Sequence, residues 1–80
     1  MKMQLFTAGW CNPCTNLKEW LGENYPELKL EMDIIDIDLD MEAAMAAGVR
    51  GIPALVVDGK PPIATNERIR PFIEELMNEA

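Results

Sequence analysis

Trp10-Cys11-Asn12-Pro13-Cys14 holds both cysteines of the chain, two residues apart. The stretch follows a short apolar run and precedes a helical pattern, so it belongs at the junction of a strand and a helix. That junction suits a thiolate. A helix N-terminus offers unpaired backbone N–H groups and the positive end of the helix dipole. Together with a hydrogen bond from a neighbouring thiol, these lower a cysteine pKa from about 8.5 to about 7 or below. Cysteines three positions apart lie one helical turn from each other, so the two sulfurs can meet without movement of the backbone. Cys11, at or just before the N-cap, is expected to be exposed and to attack. Cys14, inside the first turn and facing the protein, is expected to resolve the product. Pro13 suits the first turn, where its missing N–H costs nothing. Asn12 is tolerated there as well.

Three other readings of the pair compete. A C-x-x-C is half of a zinc site, but the chain has no third cysteine and no histidine, so completing one requires two chains. A structural disulfide across three residues closes a loop too small to stabilise much. Two unrelated buried cysteines fit poorly with tryptophan before them and proline between. A redox-active pair is the favoured reading, and it leaves no cysteine for a structural staple.

The 80 residues are enough for one small domain, residues 1–80, and 49% of them are hydrophobic, which supplies a single core. Fourteen acidic against seven basic residues give a net charge of −7, which disfavours nucleic acid and anionic membranes as partners. No apolar run approaches the roughly 20 residues of a membrane span, and no basic-then-apolar signal opens the sequence. The expectation is a cytoplasmic monomer.

Outward from the cysteines, Met3, Leu5, Phe6 and Ala8 make a buried strand within residues 1–8, ended by Gly9. From Asn12 to about Asn24 the pattern is helical, with Cys14, Leu17 and Leu21 on one face and Asn24-Tyr25-Pro26 as the stop. Trp20 reads as core, whereas Trp10 reads as a ring that shields the reactive sulfur. Leu28 to Asp38 alternates as a second strand. Asp33, Asp36, Asp38 and Asp40 have a spacing reminiscent of a calcium loop, but they lack its central glycine and distal glutamate. They read instead as solvated strand-end acids. Met41 to Ala47 is a short helix capped by Gly48. Ala54 to Val57 is a buried strand, Asp58-Gly59 a type I′ turn, and Pro61-Pro62-Ile63-Ala64 the returning edge strand. Thr65 or Asn66 opens the last helix, with Ile69, Phe72, Ile73, Leu76 and Met77 as its core face. Pro71 places the regular part of that helix nearer residue 70. The expected fold is α/β, a four-stranded mixed sheet in order 2-1-3-4 with a right-handed βαβ crossover and helices on both faces.

Two blocks, Trp10-Cys11-Asn12-Pro13-Cys14 and Ile37-Asp38 through Gly48-Val49-Arg50-Gly51-Ile52-Pro53, resemble the thioredoxin superfamily, and thioredoxins more than glutaredoxins. The resemblance covers nearly the whole chain but lacks the extra N-terminal strand and helix of longer members. It implies the minimal thioredoxin fold βαβαββα and a thiol–disulfide oxidoreductase acting as a dithiol electron carrier. It implies disulfide-containing protein substrates, a thioredoxin-reductase-type reductase, and no cofactor or metal beyond the Cys11–Cys14 disulfide. Pro53 takes the place of a cis-proline, which turns the Ile52 backbone towards an extended substrate. Trp10, Asn12, Pro13, Ile52, Pro53, Ala64 and Thr65 are the expected substrate-binding residues.

The resemblance also fails at particular positions. Thioredoxins carry a buried aspartate six residues before the first cysteine and a lysine on the next strand, where this chain has Leu5 and Ile34. The usual proton acceptor for Cys14 is therefore missing, and a slow resolving step is expected. The Gly-Gly of glutathione-binding redoxins is replaced by Ile63-Ala64-Thr65-Asn66-Glu67, so glutathione should bind weakly. A glutathione-dependent glutaredoxin or a dedicated donor to ribonucleotide reductase is the alternative. A non-catalytic binding module and a metal- or cluster-bridged dimer are further options, and Pro13 and Pro53 weigh against the cluster.

Overall fold

The computed structural model describes residues 1–79. Its elements run β1 (Met3–Thr7), α1 (Asn12–Asn24), α2 (Pro26–Glu31), β2 (Asp33–Asp36), α3 (Met41–Ala46), β3 (Ala54–Val57), β4 (Ile63–Ala64) and α4 (Asn66–Asn78). The strands form one sheet in the order β2-β1-β3-β4. β1 and β2 are parallel, whereas β3 runs antiparallel to both β1 and β4. The expected order and mixed directions are therefore present.

Strand alternation assigns each side chain to a layer. Met3 and Leu5 of β1, with Leu55 and Val57 of β3, face one side and pack with Leu17 and Leu21 of α1 and Ile69 and Ile73 of α4. Phe6, Ala54 and Val56 face the other side and meet Ala44 of α3. Helices thus cover both faces, and β1, at the centre, leads straight into the cysteine turn.

Three expected boundaries are corrected. Residues 28–31 are helical rather than strand, because Pro26 occupies the first turn of a new helix with Glu27 beside it. Leu30, taken from alternation as a strand residue, is 87% exposed. Pro61 and Pro62 stand outside β4, which is only Ile63–Ala64, because a proline has no N–H for the ladder. Helix α4 starts at Asn66 and carries Pro71 inside it, rather than beginning near residue 70.

The turns follow their sequence signals. Asp58 and Gly59 both have positive φ, as a type I′ turn requires, and Lys60 N–H closes it on the Val57 carbonyl at 3.0 Å. Gly48 (φ 78°) ends α3 in a Schellman motif, with Gly48 N–H on the Met45 carbonyl and Val49 N–H on that of Ala44. Trp20 packs on the larger core as expected. Its ring meets Tyr25 edge-on at 5.6 Å and lies under the Arg70 guanidinium at 5.3 Å. No helix among the described residues is long and apolar enough to cross a membrane.

Candidate active site

β1 ends at Thr7, and the chain turns through Gly9 and Trp10, with Cys11 N–H on the Ala8 carbonyl at 3.2 Å. Cys11 is the N-cap of α1, and its Sγ accepts the Cys14 backbone N–H at 3.2 Å. A sulfur thus does what a serine or aspartate oxygen does at most helix starts. The helix then opens with Thr15 N–H and Thr15 Oγ1 both donating to the Cys11 carbonyl. The two cysteines form a disulfide with their Cα atoms 5.2 Å apart. The pair packs in an apolar setting with Ala8, Ile37 and Ile52.

Cys14 is fully buried, as expected, but Cys11 is only 6% exposed rather than open to solvent. Its sulfur is drawn inward as cap and disulfide partner together, so only a small part of the residue reaches the surface. Trp10 lies open beside it at 67% exposure, its Nε1 donating to Asp38 Oδ2 at 2.8 Å. Asp38 N–H in turn donates to Asp36 Oδ1, and Asp40 Oδ1 caps α3 on Ala43 N–H. The strand-end acids therefore shape the loop as well as face solvent. No group of His, Cys, Asp and Glu able to hold a metal ion occurs among the described residues.

Opposite the cysteine turn stands the Ile52–Pro53 loop, whose peptide bond is cis. Pro13, Ile52, Pro53 and Thr65, all singled out from the sequence, line one depression of about 300 Å³ together with Asn16, Asn66 and Glu67. Trp10, Asn12 and Ala64 lie outside its lining. Pro53 is fully buried, so its side chain adds little to a docking surface, a correction to its expected place there. Thr65 begins α4 without a side-chain cap bond, and its N–H donates to the Pro53 carbonyl at 3.2 Å.

Sequence reasoning missed Asn66, whose Nδ2 donates to the Pro13 carbonyl at 3.1 Å across 53 positions of chain. It missed Asp38 as the partner of Trp10 for the same reason. Both are ordinary polar residues at element ends, and only the sheet order brings them to the site. Leu5 and Ile34, which occupy the places of the absent acid and base, are direct register partners on β1 and β2. Leu5 has no solvent exposure.

A vicinal dithiol capping a helix beside a cis-proline loop, on a sheet ordered β2-β1-β3-β4, defines a thiol–disulfide oxidoreductase. The chain matches the family described as thioredoxin domain over residues 1–78. It is 36% identical to the thioredoxin of Bacillus subtilis (strain 168), over 92% of this chain and 76% of that one. It is also similar to the crystal structure of thioredoxin O2 from Arabidopsis thaliana in the oxidised state. That likeness has a TM-score of 0.59 at 24% identity, covering 98% of this chain and 72% of the other, and supports the fold. The chain belongs to the thioredoxin family. In general terms, membership brings disulfide-bearing protein substrates and a reductase that recharges the dithiol.

Proposed function

We propose that the chain is a dithiol electron carrier in which Cys11 attacks and Cys14 resolves. The observation that carries this reading is the asymmetry of the pair. Cys11 Sγ occupies the helix N-cap and receives a backbone N–H, whereas Cys14 has no solvent exposure. An N-cap favours negative charge on the sulfur it holds, and full burial disfavours it. The Cys11 thiolate attacks one sulfur of a substrate disulfide and expels the other as a thiolate. Cys14, losing its proton, then attacks Cys11 Sγ. The second substrate thiolate leaves, and two electrons have passed from the dithiol to the substrate.

Substrate docking falls to Trp10, Asn12 and Pro13 on one wall, Ile52 with the Pro53 main chain on the other, and Ala64 and Thr65 at the rim. No hydrogen bond to the Ile52 backbone occurs among the described residues, which leaves its N–H and C=O free for an extended peptide. The depression between the walls is lined by one carboxylate, Glu67, and no cation. That lining supports a protein reductase rather than glutathione, whose carboxylates need basic partners. With both cysteines committed to the pair, a reducing cytoplasm and monomeric action without an added cofactor complete the reading.

Two coupled assays test it, one supplying NADPH with thioredoxin reductase and the other NADPH with glutathione and glutathione reductase. Turnover in the first alone is the expected result. Turnover in the second alone would make the protein functionally a glutaredoxin and show that the Ala64–Glu67 region binds glutathione after all.

A further inference from the structure

Two walls of the cleft, the first turn of α1 and the Ile52–Pro53 loop, are bridged by two consecutive residues. Thr65 N–H holds the Pro53 carbonyl, and Asn66 Nδ2 holds the Pro13 carbonyl. Both residues bear a local cost. Thr65 has φ 71° and ψ 149°, at the edge of a region that glycine alone enters readily. Asn66 Oδ1 is buried with no hydrogen-bond partner. Costs of this kind persist where the surrounding structure needs the geometry they permit.

The carbonyl that Asn66 holds belongs to a particular peptide group. The Pro13 C=O and the Cys14 N–H are the two ends of one amide, and that N–H donates to Cys11 Sγ. A continuous line therefore runs from Asn66 Nδ2–H to the Pro13 carbonyl, through the amide to Cys14 N–H, and on to Cys11 Sγ. Donation to an amide oxygen polarises the amide and makes its N–H a stronger donor. The gain is greatest when the acceptor is charged, so it favours the Cys11 thiolate over both the thiol and the disulfide.

We propose that Asn66 is a positioning residue that stabilises the Cys11 thiolate through the Pro13–Cys14 peptide. The inference rests on Cys11 being the attacking thiol. A cooperative gain of roughly 10–30% on a charge-assisted hydrogen bond corresponds to about a 1.3- to fivefold change in the thiolate equilibrium.

The test uses the reduced protein and iodoacetamide, with the alkylated residue located by mass spectrometry and the rate followed from pH 5 to 10. Asn66→Ala and Asn66→Leu both remove the donor, and the second keeps most of the side-chain volume. The expected result is alkylation of Cys11, with the rate at pH 6 falling about 1.3- to fivefold in both variants and the high-pH plateau unchanged. Thermal melts run alongside. A lower melting temperature with an unmoved pH midpoint overturns the inference, since a purely structural role predicts that outcome. If one variant fails to fold, the midpoint of the other decides. Alkylation of Cys14 in place of Cys11 in the unmodified protein overturns the assignment of the attacking thiol itself.

Discussion

Replacing Thr65 by glycine should stabilise this protein, although the substitution removes a side chain from the rim of its active site. Thr65 has φ 71° and ψ 149° and precedes the first residue of α4. For a residue with a Cβ, and a β-branched one in particular, such a conformation costs about 1–3 kcal/mol. Glycine avoids that cost but brings about 0.4–1 kcal/mol of extra chain entropy in the unfolded state. The Thr65 side chain makes no capping bond and is exposed, so its loss removes little else. The net gain is about 1 kcal/mol, which for a domain of this size raises Tm by roughly 4–8 °C. Thermal unfolding of the oxidised protein by circular dichroism reads it directly. Thr65→Val is the control, because it keeps the branched Cβ and the backbone cost while losing only an exposed hydroxyl. Glycine should exceed valine by nearly the whole difference. A glycine variant that melts at or below the valine variant would refute the claim that the backbone here is strained. It would also remove one of the two local costs that single out the Thr65–Asn66 bridge.

Other outcomes follow from the site and the core. Cys14→Ser should accumulate a mixed disulfide on Cys11 with a disulfide-bonded peptide, visible as a mass adduct, whereas Cys11→Ser should form none. An adduct on Cys14 in the latter would reverse the two roles. Trp10→Phe removes the Nε1 bond to Asp38 at an exposed position. Stability should change by under about 1 kcal/mol, while KM for a protein disulfide rises, and an unchanged KM would exclude the ring from docking. Leu17→Ala empties a fully buried position in the larger core and should cost about 2–5 kcal/mol. The whole domain holds about 4–12 kcal/mol, so the urea midpoint should drop by roughly a sixth or more, and a smaller drop would mean the core closes over the gap. Leu5→Asp should speed release of the mixed disulfide at neutral pH while lowering stability. An unchanged release rate would show that the resolving step does not wait for a proton acceptor.

Much of this architecture was legible because one signal dominated each segment. The apolar spacing of Met3, Leu5 and Phe6, of Leu17 and Leu21, and of Ile69 and Ile73 is imposed by burial in two layers, and each recurs in a core cluster. Asp58-Gly59 and Gly48 announce positive φ, and both turns have it. The segment from Leu28 to Met32 misled because six helical residues span under two turns, too short for a period of 3.6 to separate from one of 2. Leu30 compounded this by being apolar yet open to solvent. Pro26 marks a stop for the helix before it, yet proline opens a helix as readily as it ends one. The exposure of Cys11 and the reach of Asn66 were beyond local reading, because both depend on how α1, α4 and the Ile52–Pro53 loop converge. No pattern within either segment encodes a contact spanning 53 positions.

The apolar pair at Leu5 and Ile34 shapes how the second half of the reaction can run. These residues are register partners, Leu5 buried on the inner strand β1 and Ile34 partly exposed on the edge strand β2, and neither can take a proton. Cys14, as buried as Leu5, lies in an apolar cluster with Ala8 and Cys11, against which Ile37 and Ile52 pack. Its proton can leave by way of a group that the first step creates. The substrate thiolate expelled by Cys11 is such a group, formed at the mouth of the same cleft as the mixed disulfide. If it accepts the Cys14 proton, one departure drives the next, and the pair needs no buried acid. The resolving step then depends on the basicity of the leaving thiol, which a thioredoxin with its own internal acceptor would largely escape. Substrates whose first-released thiol has a high pKa should be resolved fastest, and those releasing a weakly basic thiolate should linger as mixed disulfides.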